Sequence, residues 1–244
     1  MTNGPHDALS GSLLSDAQQL SRDAFDPELG PHSANGNGSN IPKEQVTKTG
    51  TTTVGLKAAN GVILATDRRA SMGHMVSSKT VQKVEQIHPT GALTIAGSVS
   101  AAQSLLRSLK AEVSLYEVRR GEEMSMTALS TLTGNFLRSG AFFIVQPVLG
   151  GVDDEGAHVY SLDPLGATME EEYTVSGSGS QFALGVLEQQ YDTDLSLDEA
   201  ETVAAHSVQS ALERDTASGN GIVIARVTAD DVDIDEYPDI DDVL

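Results

Sequence analysis

The sequence predicts an α+β fold in which two antiparallel sheets stack face to face and each is covered by a pair of helices. Three observations carry this. Val62-Ile63-Leu64-Ala65-Thr66 and the run from Ile222 to Val227 are apolar but for Thr66 and Arg226, so both faces of these strands need cover. Segments with apolar residues at three- and four-residue steps come in two pairs. The order along the chain is strands, helix pair, strands, helix pair, strand, which suits two packed sheets with helices outside.

The first strand begins at Thr51, where Thr51, Thr53 and Gly55 alternate with Thr52, Val54 and Leu56. Ala59-Asn60-Gly61 turns the chain into the apolar return strand, which ends at Asp67-Arg68-Arg69. Val84 to His88, the turn Pro89-Thr90-Gly91, and Leu93 to Gly97 read as a second hairpin, joining the first in one antiparallel sheet. Ser98 or Ser100 caps a helix carrying Ala102, Leu105, Leu106, Leu109, Val113 and Tyr116 over 101–119. Met126, Leu129, Leu132, Phe136 and Leu137 mark a second, over 126–139, stopping at Gly140. Phe142 to Leu149 and His158 to Leu162 read as strands separated by a Gly-Gly and acidic turn. Val175 leads into Gly177-Ser178-Gly179-Ser180. A helix from about Gln181 to Tyr191 follows, and Ser196-Leu197-Asp198-Glu199 is a capping box that opens the last helix, running to Arg214.

The 244 residues suit one large domain with tail-like ends: a leader over 1–50, a core over 51–229 and an acidic tail over 230–244. Asp230 to Asp242 holds eight carboxylates, which reads as a solvated, disordered segment. Cysteine is absent, so disulfides, thiolate metal ligands and thiol catalysis are excluded, in keeping with a reducing, cytoplasmic interior. A net charge of −20 opposes nucleic acid and anionic membranes. It suits a salt-rich cytoplasm, where dense carboxylates keep a protein hydrated. No apolar run reaches the roughly 20 residues of a membrane span, and the N-terminus has no basic stretch followed by an apolar core.

Thr47-Lys48-Thr49-Gly50-Thr51 reads as a cut site at a strand start. Scission between Gly50 and Thr51 would put a hydroxyl and an α-amine on one residue. An α-amine titrates at about 7.7–8.0, against about 10.4 for a lysine, so near neutrality it accepts the proton of the attacking hydroxyl. Gly50 leaves room for the turn that brings the hydroxyl to its own carbonyl. Other pieces join this candidate site: Asp67 closing the second strand, Lys83 before the third, Gly97 ending the fourth, the Gly-Ser loop, and Asp215 to Gly219. Taken singly, each has a commoner use as a strand end, an exposed lysine or a turn.

Together, Thr51-Thr52-Thr53-Val54-Gly55, Ala65-Thr66-Asp67-Arg68-Arg69, Lys79 to Lys83, Thr94-Ile95-Ala96-Gly97, Gly177-Ser178-Gly179-Ser180 and Arg214-Asp215-Thr216-Ala217-Ser218-Gly219 resemble the archaeal, and by its acidity the halophilic archaeal, proteasome β subunit. The resemblance covers about residues 50–228. It implies the four-layer αββα sandwich of N-terminal nucleophile hydrolases and a threonine endopeptidase with no cofactor and no metal. It makes Thr51 the nucleophile, with its amine acting through a water, and Lys83 the stabiliser of the developing alkoxide, held by Asp67. Gly97 becomes the oxyanion donor, and Ser178, Asp215 and Ser218 the shell around the amine. Ala70, Val81, Ile95 and Val99 would line an apolar pocket favouring cleavage after hydrophobic residues. The partners it implies are other β subunits in seven-membered rings, α subunits that gate the chamber, an unfoldase ATPase acting through the α rings, and unfolded protein substrates.

Two other readings share the fold. A different self-processing hydrolase, such as the bacterial protease that pairs with an unfoldase, lacks the Arg-Asp-x-x-Ser-Gly block that stands here. A non-catalytic ring subunit usually lacks the Gly-Thr junction or the lysine. A serine hydrolase using Ser178 would need a nucleophile elbow and a histidine partner; His206, on a helix face, reads as structural.

Overall fold

A computed structural model describes residues 50–142 and 144–244; apart from Gly50, the expected leader lies outside the described residues. Two five-stranded antiparallel sheets form the centre. The first has the order β10-β1-β2-β11-β12, from Tyr173–Gly177 (β10), Thr52–Ala58 (β1), Gly61–Asp67 (β2), Ile222–Val227 (β11) and Val232–Tyr237 (β12). The second runs β5-β6-β7-β8-β9, from Val84–His88 (β5), Gly91–Thr94 (β6), Val148–Asp153 (β7), Gly156–Leu162 (β8) and Thr168–Glu170 (β9). Ala70–Met72 (β3) and Met75–Ser78 (β4) make a small separate hairpin. Val99–Arg120 (α1) and Met126–Arg138 (α2) cover the second sheet, while Ser180–Gln190 (α3) and Leu197–Arg214 (α4) cover the first.

Strand β2 shows why four layers form. Ile63 and Ala65 face α3 and α4, packing with Leu187, Ala204 and Val208. Val62 and Leu64 face the other sheet, packing with Val84, Val148 and Val159. All four are fully buried, so the uninterrupted apolar run reflects cover on both sides. Beyond the second sheet, Leu93 and Leu149 meet Leu105, Leu109 and Leu129 of α1 and α2.

The helix starts follow local chemistry. Ser98 caps α1 by accepting from the Ala101 N–H at 3.5 Å, and Ser125 caps α2 through Ala128 at 3.3 Å. At α4 the capping box is complete: Ser196 Oγ accepts from the Glu199 N–H at 3.3 Å, and the Glu199 carboxylate accepts from the Ser196 N–H at 2.9 Å.

Several expectations need correction. The two early hairpins do not share a sheet: β1 and β2 lie in the first, β5 and β6 in the second. The chain crosses between them through β3 and β4, so hairpin neighbours in sequence face each other across the core. The strand expected from Phe142 starts only at Val148, after Pro147, which has no N–H for a ladder. Gly150 and its neighbour Gly151 lie within β7, not in a turn, because a Cβ at Gly150 would press on Val62 and Leu64 of the facing sheet. The acidic segment after residue 229 is not a disordered tail. Val232 pairs with Val227 and Tyr237 with Ile222, and Ile240–Asp242 forms a short 3-10 helix. Val232 and Ile234 alternate with the exposed Asp233 and Asp235, a half-buried strand pattern that the crowd of carboxylates concealed. Glu236 also receives the Arg68 guanidinium at 2.6 Å.

Truncation after Ala229 is therefore expected to uncover β11 and to lower the melting temperature by several degrees. A loss of stability of about 1–3 kcal/mol is the scale for stripping partly buried Val, Ile and Tyr from a sheet edge, and thermal unfolding of the truncated chain measures it.

Candidate active site

Thr51 lies immediately before β1 and is only 4% exposed. Beside its hydroxyl stands the Lys83 ammonium, which donates to Thr51 Oγ1 and, at 2.7 Å, to Asp67 Oδ1. Lys83 is 3% exposed and Asp67 is fully buried. Lys83 belongs to the approach to β5 in the second sheet, where its carbonyl accepts from Ile95 N–H at 2.6 Å. Thr51 and Asp67 belong to the first sheet. The lysine therefore reaches the threonine only because the sheets are stacked. Burial pushes the Lys83 pKa below its ordinary 10.5, and the Asp67 carboxylate opposes that drop.

Asp67 is placed by the end of β2 and by four donors. Oδ1 accepts from Lys83 and from the Thr52 N–H at 3.0 Å. Oδ2 accepts from the Arg69 N–H at 3.0 Å and the Gly219 N–H at 2.9 Å. A carboxylate has about four lone-pair sites, so this one is fully used.

On the other side of Thr51, the Asp215 carboxylate accepts hydrogen bonds from Ser178 Oγ at 2.5 Å and Ser218 Oγ at 2.7 Å. Ser178 Oγ in turn accepts from Thr51 N at 3.2 Å, where the intact chain has an amide N–H and a cut chain would have an amine. Ser218 Oγ lies 2.7 Å from Thr52 Oγ1; since Ser218 donates to Asp215, Thr52 donates to Ser218. Ser178 enters from the junction of β10 and α3, and Asp215 ends α4.

Gly97 has φ +111°, in the left-handed region, and a Cβ there would overlap the Ile144 carbonyl oxygen. A Cβ at Gly50 would overlap the Ala217 side chain. The Gly50 N–H donates to Ser71 Oγ at 3.2 Å.

A cavity of about 230 Å³ opens beside Thr51, lined in part by Lys83, Gly97, Ala70, Ile95 and Val99. Three of the four residues expected to receive a substrate side chain thus line it. Val81 is not among the lining residues; it is half-buried, and its N–H donates to the Arg68 carbonyl at 3.0 Å. Met72, Ser71, Ser77 and Arg69 also line the cavity and escaped the sequence reading. Asp67, Lys83, Ser178, Asp215 and Ser218 all converge on Thr51 directly or through one neighbour. His206 lies on α4, where its Nδ1 is 3.1 Å from Gln190 Oε1. Among the described residues, no helix is long and apolar enough to cross a membrane.

Two stacked five-stranded sheets between helix pairs, with a threonine at the head of the first strand facing a lysine, define an N-terminal nucleophile hydrolase fold. The family model for proteasome subunits matches residues 47–227. The chain is 66% identical over 232 residues to proteasome subunit beta of Halorubrum lacusprofundi, covering 93% of this chain and 95% of that protein. It is 67% identical over 222 residues to proteasome subunit beta of Haloquadratum walsbyi, covering 91% of each. It is 63% identical over 237 residues to that of Haloferax volcanii, covering 97% of each. The chain belongs to the proteasome subunit family, and it is a threonine-type endopeptidase.

Replacing Gly97 by alanine is expected to reduce peptidase turnover sharply, because the added methyl meets the Ile144 carbonyl and the backbone leaves its left-handed conformation. A loss of about 100-fold or more in kcat/KM is the scale for displacing a group at a reacting centre by about 1 Å, and peptide hydrolysis with circular dichroism as a fold control measures it.

Proposed function

We propose that the chain is the catalytic β subunit of a proteasome core, cutting itself between Gly50 and Thr51 and then hydrolysing unfolded proteins with the freed threonine. The observation that carries this is the buried Lys83 held between Asp67 and Thr51 Oγ1, at a Gly-Thr junction where a strand begins.

In the precursor, Thr51 Oγ attacks the Gly50 carbonyl carbon. The C–N bond gives way to an ester, and the Thr51 nitrogen leaves as an amine. Water then hydrolyses the ester, releasing the leader and regenerating the hydroxyl. In the mature enzyme the amine takes the Oγ proton, through a water, as Oγ attacks the substrate carbonyl. The Lys83 ammonium favours the developing alkoxide, and the Gly97 N–H faces the oxyanion. The proton passes to the leaving amine, and water resolves the acyl ester. Ser178, Asp215 and Ser218 orient the Thr51 amine through the hydrogen bonds described above.

Ala70, Ile95 and Val99 make one wall of the cavity apolar, which supports cleavage after hydrophobic residues. The kinship supports assembly into seven-membered rings with further β subunits, enclosed by α rings through which an unfoldase ATPase delivers substrate. Confinement of this kind keeps a broad peptidase away from folded proteins.

N-terminal sequencing of the assembled protein is expected to start at Thr51, and Thr51→Ala to lose both leader removal and peptidase activity. A mature start elsewhere would overturn the assignment. Fluorogenic peptides ending in Leu or Phe are expected to turn over at least about tenfold faster than one ending in Arg, the scale of burying one apolar side chain. Because burial lowers the Lys83 pKa, activity should decline with rising pH below the ordinary lysine range as the ammonium is lost. A rate profile against pH locates that decline.

A further inference from the structure

Two residues past the catalytic-site aspartate, Arg69 turns its side chain toward the loop between α4 and β11. Nε donates to Asn220 Oδ1 at 3.0 Å, and Nη1 donates to the Thr216 carbonyl at 2.9 Å. The guanidinium lies so close against Gly219 that any Cβ there would overlap Nη2 and Cζ. Backbone bonds reinforce the grip: Gly219 N–H to Asp67 Oδ2 at 2.9 Å, and Arg68 N–H to the Gly219 carbonyl at 3.1 Å. Asn220, at φ +69°, is the one non-glycine residue at positive φ among the described residues. Its side-chain amide meets Arg69 in that left-handed conformation, which asparagine adopts more readily than other non-glycine residues.

The gripped stretch includes Ser218 and begins next to Asp215, the two groups that fix Ser178 and Thr52 around the Thr51 nitrogen. Arg69 touches neither Asp215 nor Thr51 in this network. It touches the residues on both sides of Ser218.

We infer that Arg69 is a positioning residue for the peptidase reaction, clamping the 215–220 loop through Thr216, Gly219 and Asn220 so that Asp215 and Ser218 keep Ser178 aimed at the Thr51 amine. This rests on the threonine mechanism proposed above. Arg69 also lines the cavity beside Thr51, so direct contact with substrate is the rival role, and the two separate kinetically. The charged groups around the Thr51 nitrogen are Asp67 from β2, Lys83 before β5, Asp215 after α4, and Arg69 itself.

The test uses the assembled full chain with Arg69→Met, Arg69→Lys and Asn220→Gly, reading kcat and KM against pH with a fluorogenic peptide. Glycine adopts φ +69° freely, so Asn220→Gly keeps the backbone and every charge while removing the acceptor of Nε. It is expected to lower kcat about 10- to 100-fold with KM changed less than about twofold. Its rising pH limb should move to lower pH, since a loosened Asp215 favours the ammonium form of Thr51 less. Arg69→Met should lower kcat at least as much, and Arg69→Lys, which keeps the charge without the planar fork, should restore little. A raised KM with unchanged kcat and pH limb would make Arg69 a substrate contact and overturn the inference, as would a lowered melting temperature with unaltered kinetics. Thr51→Ala runs in parallel. Activity there would sink the threonine mechanism itself, whereas an inactive Thr51→Ala beside wild-type kinetics in the Arg69 and Asn220 variants would sink the clamp alone.

Discussion

The buried ion pair of Lys83 and Asp67 is the constraint on which the rest of the structure turns. Two charges withdrawn from water cost several kcal/mol each unless geometry and hydrogen bonding compensate. Here the compensation reaches into four parts of the chain: Asp67 accepts from Thr52, Lys83, Arg69 and Gly219. Since the lysine comes from one sheet and the aspartate from the other, the pair is satisfied only when the sheets are stacked in register. The same requirement that stabilises the ions places a cation against the Thr51 hydroxyl.

Close packing enforces that register. Gly150 lets β7 lie against Val62 and Leu64, and Gly50 lets the segment before β1 pass the Ala217 side chain. Both are places where one methyl group would separate parts that must touch, and protein interiors have little slack to absorb such a change. The site is thus built from rigid strand ends, with its polar shell supplied by two loops, at Gly177 to Ser180 and at Asp215 to Gly219.

Much of this was legible in the sequence, and the limits have physical reasons. Helix starts at Ser98 and Ser196 announce themselves through local hydrogen bonding, and α1, α2 and α4 through their apolar spacing, because those signals lie within a few residues. The doubly covered β2 was readable from its composition. Sheet membership was not, since whether β5 pairs beside β2 or faces it depends on contacts distant along the chain. The edge strand β12 was hidden because its carboxylates are as many as its hydrophobic residues and it lies in a still more acidic segment, although Val232 and Ile234 kept the period of two. Within the cluster around Thr51, the sequence singled out Asp67, Lys83, Ser178, Asp215 and Ser218, whereas Arg69, Thr52 and Ser71 were not singled out. Their roles consist of reaching residues 21 to 166 positions away, and nothing near them in sequence marks that.

Strand β12 has a further consequence for how this sheet ends. Its outer side has no neighbouring strand among the described residues, and an unpaired edge is a template for indefinite growth by other molecules. Asp233, Asp235 and Glu236 stand exposed along it, so an incoming strand would have to strip water from a row of anions. Concentrated salt shortens the reach of charge repulsion to about 3 Å at 1 M, yet leaves that dehydration penalty in force. The guard against runaway pairing is thus one that brine does not disarm.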